Sequence, residues 1–96
     1  MKNYEIMFIV RPTLGSDEVK ETVKNFENVI TANGGKVTEV TEMGQRELAY
    51  EIKKFKSGYY FVFQVEANDD KATKEFDRLA LISNDIIRHL ITKIEK

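Results

Sequence analysis

Cysteine and tryptophan are absent from this 96-residue chain, proline and histidine occur once each, and glycine only five times. Without cysteine there is neither a disulfide framework nor a thiolate metal site. With one histidine, a zinc site would have to be built mostly from carboxylates, which disfavours it, so no metal and no cofactor is expected. No segment reaches the roughly 18 apolar residues of a membrane span. The start lacks an apolar core followed by a small-residue cleavage site, so the expected location is cytoplasmic, with no membrane partner. An excess of one charge is missing as well: 15 Lys+Arg stand against 16 Asp+Glu, a formal net charge of −1. Simple nucleic-acid-binding proteins carry surplus cations. The total therefore argues against one, and the distribution of the charges has to decide.

What is present is an ordinary globular composition, 42% hydrophobic, 10% aromatic and 32% charged. A chain of this length suits one hydrophobic core, hence one domain over 1–96. Tyr4, Ile6, Phe8 and Val10 alternate with Asn3, Glu5, Met7 and Ile9, which predicts a strand over Lys2 to Val10. After Arg11-Pro12 and the turn Thr13-Leu14-Gly15, Ser16 reads as an N-cap, with Asp17 and Glu18 at the positive end of a helix. Val19, Val23, Phe26 and Ile30 recur at helical spacing, and Asn33-Gly34-Gly35 ends the run.

A second strand is predicted from Lys36 to about Ile52, with a bulge or bend at Gly44. Lys53 to Gly58 reads as the connection, and Tyr59 to Ala67 as a third strand rich in aromatic and β-branched residues. Asn68-Asp69-Asp70 caps a second helix bearing Ala72, Phe76 and Leu79. Ser83-Asn84-Asp85 turns into a last strand, Ile86 to Ile94. The order β-α-β-β-α-β with right-handed crossovers predicts an α+β, ferredoxin-like fold. Its four-stranded antiparallel sheet has order 4-1-3-2, with both helices on one face and the other face open.

Catalytic constellations are thin. His89 sits among Ile86, Ile87, Leu90 and Ile91, where a lone histidine reads as partly buried and hydrogen-bonded. Asp69-Asp70 at a helix start reads as a cap rather than a metal pair. Gly34-Gly35 lacks the spacing and the Lys-Ser/Thr of a phosphate loop. The expectation is that the chain is not an enzyme and takes no small-molecule substrate.

Charge is sorted along the chain. The first helix holds four acids and two lysines, the second four acids and three bases. Lys2, Arg11, Arg88, Lys93 and Lys96 lie on the first and last strands or at their ends, which are neighbours in order 4-1-3-2. One cationic edge is therefore expected despite the neutral total. A further group, Arg46, Lys53, Lys54 and Lys56, lies on the hairpin between strands two and three.

The stretch Lys56 to Phe63 is similar in pattern to the RNA-stacking strand of an RNA-recognition motif. Tyr60 and Gln64 depart from that motif. Parity assigns Tyr59, Phe61, Phe63 and Val65 to the helix-covered face, and Tyr60, Val62, Gln64 and Glu66 to the open one. Met7, Ile9, Tyr60, Val62 and Leu90 then form an apolar patch on the open face, extended by Leu48, Ala49, Tyr50 and Ile52. Such a patch implies a partner.

Tyr4-Glu5-Ile6, Gly44 to Ile52, Gly58-Tyr59-Tyr60, Val65-Glu66-Ala67 and Asn84 to Arg88 resemble bacterial small-subunit ribosomal protein six. The resemblance covers essentially the whole chain. Its specific part is Gly44, Arg46 and Leu48-Ala49-Tyr50, followed at the right distance by Gly58-Tyr59. It implies a structural component of the small ribosomal subunit that binds the central domain of small-subunit ribosomal RNA. It also implies cooperative binding as a heterodimer with the strongly basic small-subunit ribosomal protein eighteen. Carried over by position, Lys2, Asn3, Arg88 and Lys93 are the expected RNA-facing residues. Arg46, Leu48, Ala49, Tyr50 and Tyr60 are the expected protein interface. Glu51 stands where the family often has proline, and the sequence stops at Lys96 without the longer tail of some members.

Two rivals stand beside this reading. A stand-alone RNA binder would stack bases on Tyr59 and Phe61, and near-complete burial of both rings would exclude it. A ferredoxin-like enzyme or ligand-binding domain would use the open face as a pocket, with His89 the nearest titratable group.

Overall fold

The computed structural model describes residues 2–94, so Lys96 lies outside the described residues. Six elements follow one another: β1 (Lys2–Val10), α1 (Ser16–Ala32), β2 (Gly35–Ile52), β3 (Phe55–Ala67), α2 (Lys71–Ile82) and β4 (Ile86–Ile94). The strands form one sheet in the order β2-β3-β1-β4, with every neighbouring pair antiparallel. This is the β-α-β-β-α-β arrangement and strand order expected from the hydrophobic pattern.

Alternation decides which face is covered. Tyr4, Ile6, Phe8 and Val10 of β1, with Phe61, Phe63 and Val65 of β3, point under the helices and are buried. Val19, Val23, Phe26 and Ile30 of α1 and Ala72, Phe76 and Ala80 of α2 complete the same core. Its centre is aromatic. The Phe8 ring lies 4.9 Å from Phe63, 5.5 Å from Phe61 and 5.6 Å from Phe76, and Phe26 lies 5.0 Å from Phe76. Stacked, tilted and edge-on pairs of this kind add about 0.5–1.5 kcal/mol each beyond the area they bury.

Several boundaries differ from the sequence expectation. Gly15, not Ser16, caps α1, its carbonyl accepting the Val19 N–H at 3.0 Å, and no side chain caps that end. The second helix, by contrast, begins at Lys71, directly after the expected cap Asn68-Asp69-Asp70, and Asp69 Oδ1 accepts the Lys71 N–H at 3.0 Å. The third strand begins at Phe55 rather than Tyr59, so the hairpin connection is only Lys53-Lys54. Both lysines have positive φ, 50° and 71°. Two such residues in a row make the tight turn that matches strand twist. Lysine gives no sequence signal for that conformation, which costs a side-chain-bearing residue about 1 kcal/mol.

The bend expected at Gly44 is present. The β2–β3 register shifts between Glu42 and Gly44, and Gly44 has φ 80°. Gly58 answers a different need: a Cβ there would lie 2.3 Å from the Ile9 side chain and 3.0 Å from the Val10 carbonyl. Close approach of β1 to β3 requires its missing side chain.

Asp70 precedes α2, and the Lys74 ammonium 3.2 Å from it holds its carboxyl below the ordinary value of 3.8, with a smaller pull from Lys2. A lowered folded value means the contribution to stability is present above the ordinary carboxylate range. It is lost as pH falls through the folded value. Lys74→Gln is expected to return Asp70 toward 3.8, read by titrating its side-chain carboxyl carbon by NMR. Identical titrations in the two proteins would remove Lys74 as the cause.

Candidate RNA and protein interface on the open sheet face

Register sets out the open face row by row. Facing strand positions carry their side chains to the same side. Thr41, Val62, Met7 and Leu90 form one row, and Gly44, Tyr60, Ile9 and Arg88 the next. In the opposite direction lie Glu39, Gln64, Glu5 and Thr92, then Lys36, Glu66, Asn3 and Ile94. The face is thus apolar toward the hairpin tip and carboxylate-bearing toward the other end. Gln64 Nε2 donates to Glu5 Oε1 at 3.5 Å within the polar half.

The apolar half is partly roofed. Between Glu47 and Ile52 the β2 register jumps, leaving Leu48 to Glu51 with no paired partner on β3. This bulge folds over the open face. Leu48, Ala49, Tyr50 and Ile52 then wall a groove of about 170 Å³ against Met7, Ile9, Tyr60 and Leu90. Ile9, expected on the uncovered face, is only 5% exposed, because the bulge covers it. Tyr50 is 62% exposed and Leu90 56%. Both belong to the accessible rim.

Arg88 stands at the end of the groove and donates from its Nη1 to the Tyr50 hydroxyl at 2.7 Å. One residue from the expected RNA set and one from the expected protein set therefore meet. Nothing in the linear sequence signals that contact, since the partners are 38 positions apart and lie on the two edge strands.

The other expected site residues divide. Leu48, Ala49, Tyr50 and Tyr60 line one groove. Arg46 sits one row farther out, opposite Gly58, and its Nε donates to the Met43 carbonyl at 3.4 Å. Among the described residues the cations expected on one edge do not share a face. Asn3 and Arg88 face the open side, but Lys2 pairs with buried Ala67 and Lys93 with buried Tyr4, so both belong to the helix-covered side. Arg11 is engaged with Asp85 through its Nε at 2.9 Å and with Thr13 through Nη1 at 3.0 Å. Lys96 falls outside the described residues. Strand adjacency placed these cations near one another, whereas side-chain parity separated them.

His89 also follows parity. It faces the helices, packs against Phe76, and lies 2.6 Å through Nε2 from Asp77 Oδ1. It is a tethered histidine, turned away from the open face. Phe61 is 4% exposed and cannot stack on a base. Tyr59 is half-buried against the same core.

A larger cleft of about 470 Å³ separates α1 from β2 on the helix side, floored by Val19, Val23, Val40, Tyr59 and Phe61. Volume alone favours it. The open-face groove is the better candidate, because none of the expected RNA or partner residues reaches the larger cleft. Among the described residues no cluster of metal-ligating side chains occurs, and no helix is long and apolar enough to cross a membrane.

A ferredoxin-like sheet with one face buried by helices and the other bearing an apolar groove defines a binding domain. Comparison with known proteins makes the class specific. The family model of ribosomal protein S6 matches residues 3–93. The crystal structure of 30S ribosomal protein S6 from Thermotoga maritima superposes with a TM-score of 0.92. It is 31% identical to this chain, over 97% of this chain and 87% of that one. A protein from Arabidopsis thaliana, 10% identical over 100% of this chain and 95% of that one, has a TM-score of 0.56 and shares the fold alone.

This chain belongs to the ribosomal protein S6 family, a structural, non-enzymatic family of the small ribosomal subunit.

Proposed function

We propose that this chain binds the central domain of small-subunit ribosomal RNA cooperatively, as one half of a heterodimer with small-subunit ribosomal protein eighteen. The observation that carries the proposal is the Tyr50–Arg88 hydrogen bond at the mouth of the apolar groove. It sets a cation suited to phosphate beside apolar surface suited to a protein, so one surface can serve both partners. The carboxylates of Glu5, Glu39 and Glu66 on the rest of the open face suit a strongly basic partner, which would supply much of the phosphate neutralisation. That division of labour accounts for a net charge of −1 in an RNA-binding protein.

In this reading Leu48, Ala49, Tyr50 and Tyr60 contact the partner, with Arg46 at the margin. Arg88 and Asn3 contact RNA from the open side, while Lys2 and Lys93 reach it around the sheet edge. Contacts of this kind position the domain and read little sequence, leaving specificity to the shape of the folded RNA. The test is a titration on central-domain RNA with and without the basic partner. Binding that requires the partner supports the proposal, and tight binding of unrelated single strands by this chain alone would refute it. Arg88→Ala is expected to weaken RNA binding by the pair and to lower the salt slope by about 1. An unchanged affinity and slope would remove Arg88 from the site.

A further inference from the structure

We propose that the tip of the β2–β3 hairpin, Lys53-Lys54 with Lys56 behind it, is a second phosphate-gripping contact to RNA. It rests on the RNA-binding reading above and adds a site away from the open face. The hairpin projects: β1 pairs with β3 only from Tyr59 to Ala67, so Phe55 to Gly58 and the turn extend beyond the central strand. Lys53, Lys54 and Lys56 are all exposed, and none is in an ion pair among the described residues.

Conformation argues that these lysines are not there for the turn. A two-residue connection with positive φ at both positions favours Asn-Gly, yet Lys53 and Lys54 occupy it at 50° and 71°. Two adjacent like charges in a disfavoured backbone region make a poorer turn than the alternative. Their distinguishing property is therefore charge, which is displayed at the far end of a two-stranded arm. The anion such a tip fits is a nucleic-acid backbone, whose regularly spaced phosphates bind lysine as a point charge. A strongly basic protein would be repelled by it. The tip therefore faces RNA while the groove behind it faces the protein partner.

The experiment replaces Lys53→Asn and Lys54→Gly together, which improves the turn while removing both charges. The melting temperature should rise by roughly 5 °C. The affinity of the heterodimer for central-domain RNA should fall by about tenfold, with the salt slope lower by about 2. Lys53→Gln with Lys54→Gln should give the same loss of RNA affinity without the stabilisation. Lys20→Gln with Lys24→Gln, two exposed lysines on α1, should leave affinity and slope close to the parent values.

Unchanged RNA affinity and slope in both tip variants would overturn the proposal. So would an equal loss in the α1 variant, which would mean that only total charge matters. Impaired heterodimer formation, or self-association of the tip variants with RNA binding intact, would likewise assign the lysines to a protein contact or to edge protection. The unsubstituted heterodimer is measured alongside. If it fails to bind this RNA, the parent reading falls; if it binds and the tip variants bind equally, only the tip assignment falls.

Discussion

Phe8→Ala is expected to cost about 3–5 kcal/mol of stability, the range for truncating a fully buried phenylalanine. At this chain length that loss lowers the melting temperature by roughly 20 °C. Phe8 is wholly buried on the central strand, and its ring meets Phe26, Phe61, Phe63 and Phe76. Truncation leaves a cavity where both helices meet the sheet. The surrounding rings belong to three different elements, α1, β3 and α2, and cannot all move inward. Leu90→Ala on the open face, at 56% exposure, should stay within about 0.5 kcal/mol of the parent. Urea unfolding of both variants checks the pair. A Phe8→Ala cost below about 1 kcal/mol would contradict the description of the core.

Tyr50→Ala is expected to weaken the heterodimer by about 30-fold, the cost of losing an interfacial aromatic hot spot of about 2 kcal/mol. Stability of the isolated chain should hardly change, because the ring is 62% exposed before any partner arrives. Tyr50→Phe separates the ring from its hydroxyl. It keeps the apolar surface of the groove and removes the bond from Arg88, so partner affinity should stay near the parent value. Arg88 would then be untethered in the free chain. Isothermal titration with the purified partner measures both variants. A Tyr50→Ala protein of unaltered affinity would place the interface elsewhere on the surface.

These two predictions lie on opposite faces of one sheet, and the two faces were not equally legible. The covered face was written in period-two alternation: Tyr4, Ile6, Phe8 and Val10 on β1, and Phe61, Phe63 and Val65 on β3, are the buried set. The helices announced themselves through the spacing of Val19, Val23, Phe26 and Ile30. Errors fell at the ends of elements. Lys53 to Gly58 looked like a loop because lysine, serine and glycine are weak strand signals. The chain nevertheless needs only two residues to turn once both adopt positive φ.

The candidate site was legible as a set of residues rather than as a place. Leu48, Ala49, Tyr50 and Tyr60 were identifiable through family resemblance, and they do line one groove. Arg88 was expected to join Lys2 and Lys93 on a basic edge. Instead parity puts those lysines on the helix side, and Arg88 is joined by Tyr50. Neighbouring strands bring backbones together, but the face a side chain takes depends on register, which one misplaced bulge reverses.

By itself, then, the sequence determined the element order, the composition of the core, the strand order and the family, because each rests on local periodicity, contiguous motifs or the handedness of crossovers. The tertiary structure alone decided where the cations face, how the four-residue bulge of β2 roofs Ile9, and that Tyr50 meets Arg88. Those outcomes depend on register shifts summed along a long hairpin and on contacts between edge strands. No short window of sequence contains them.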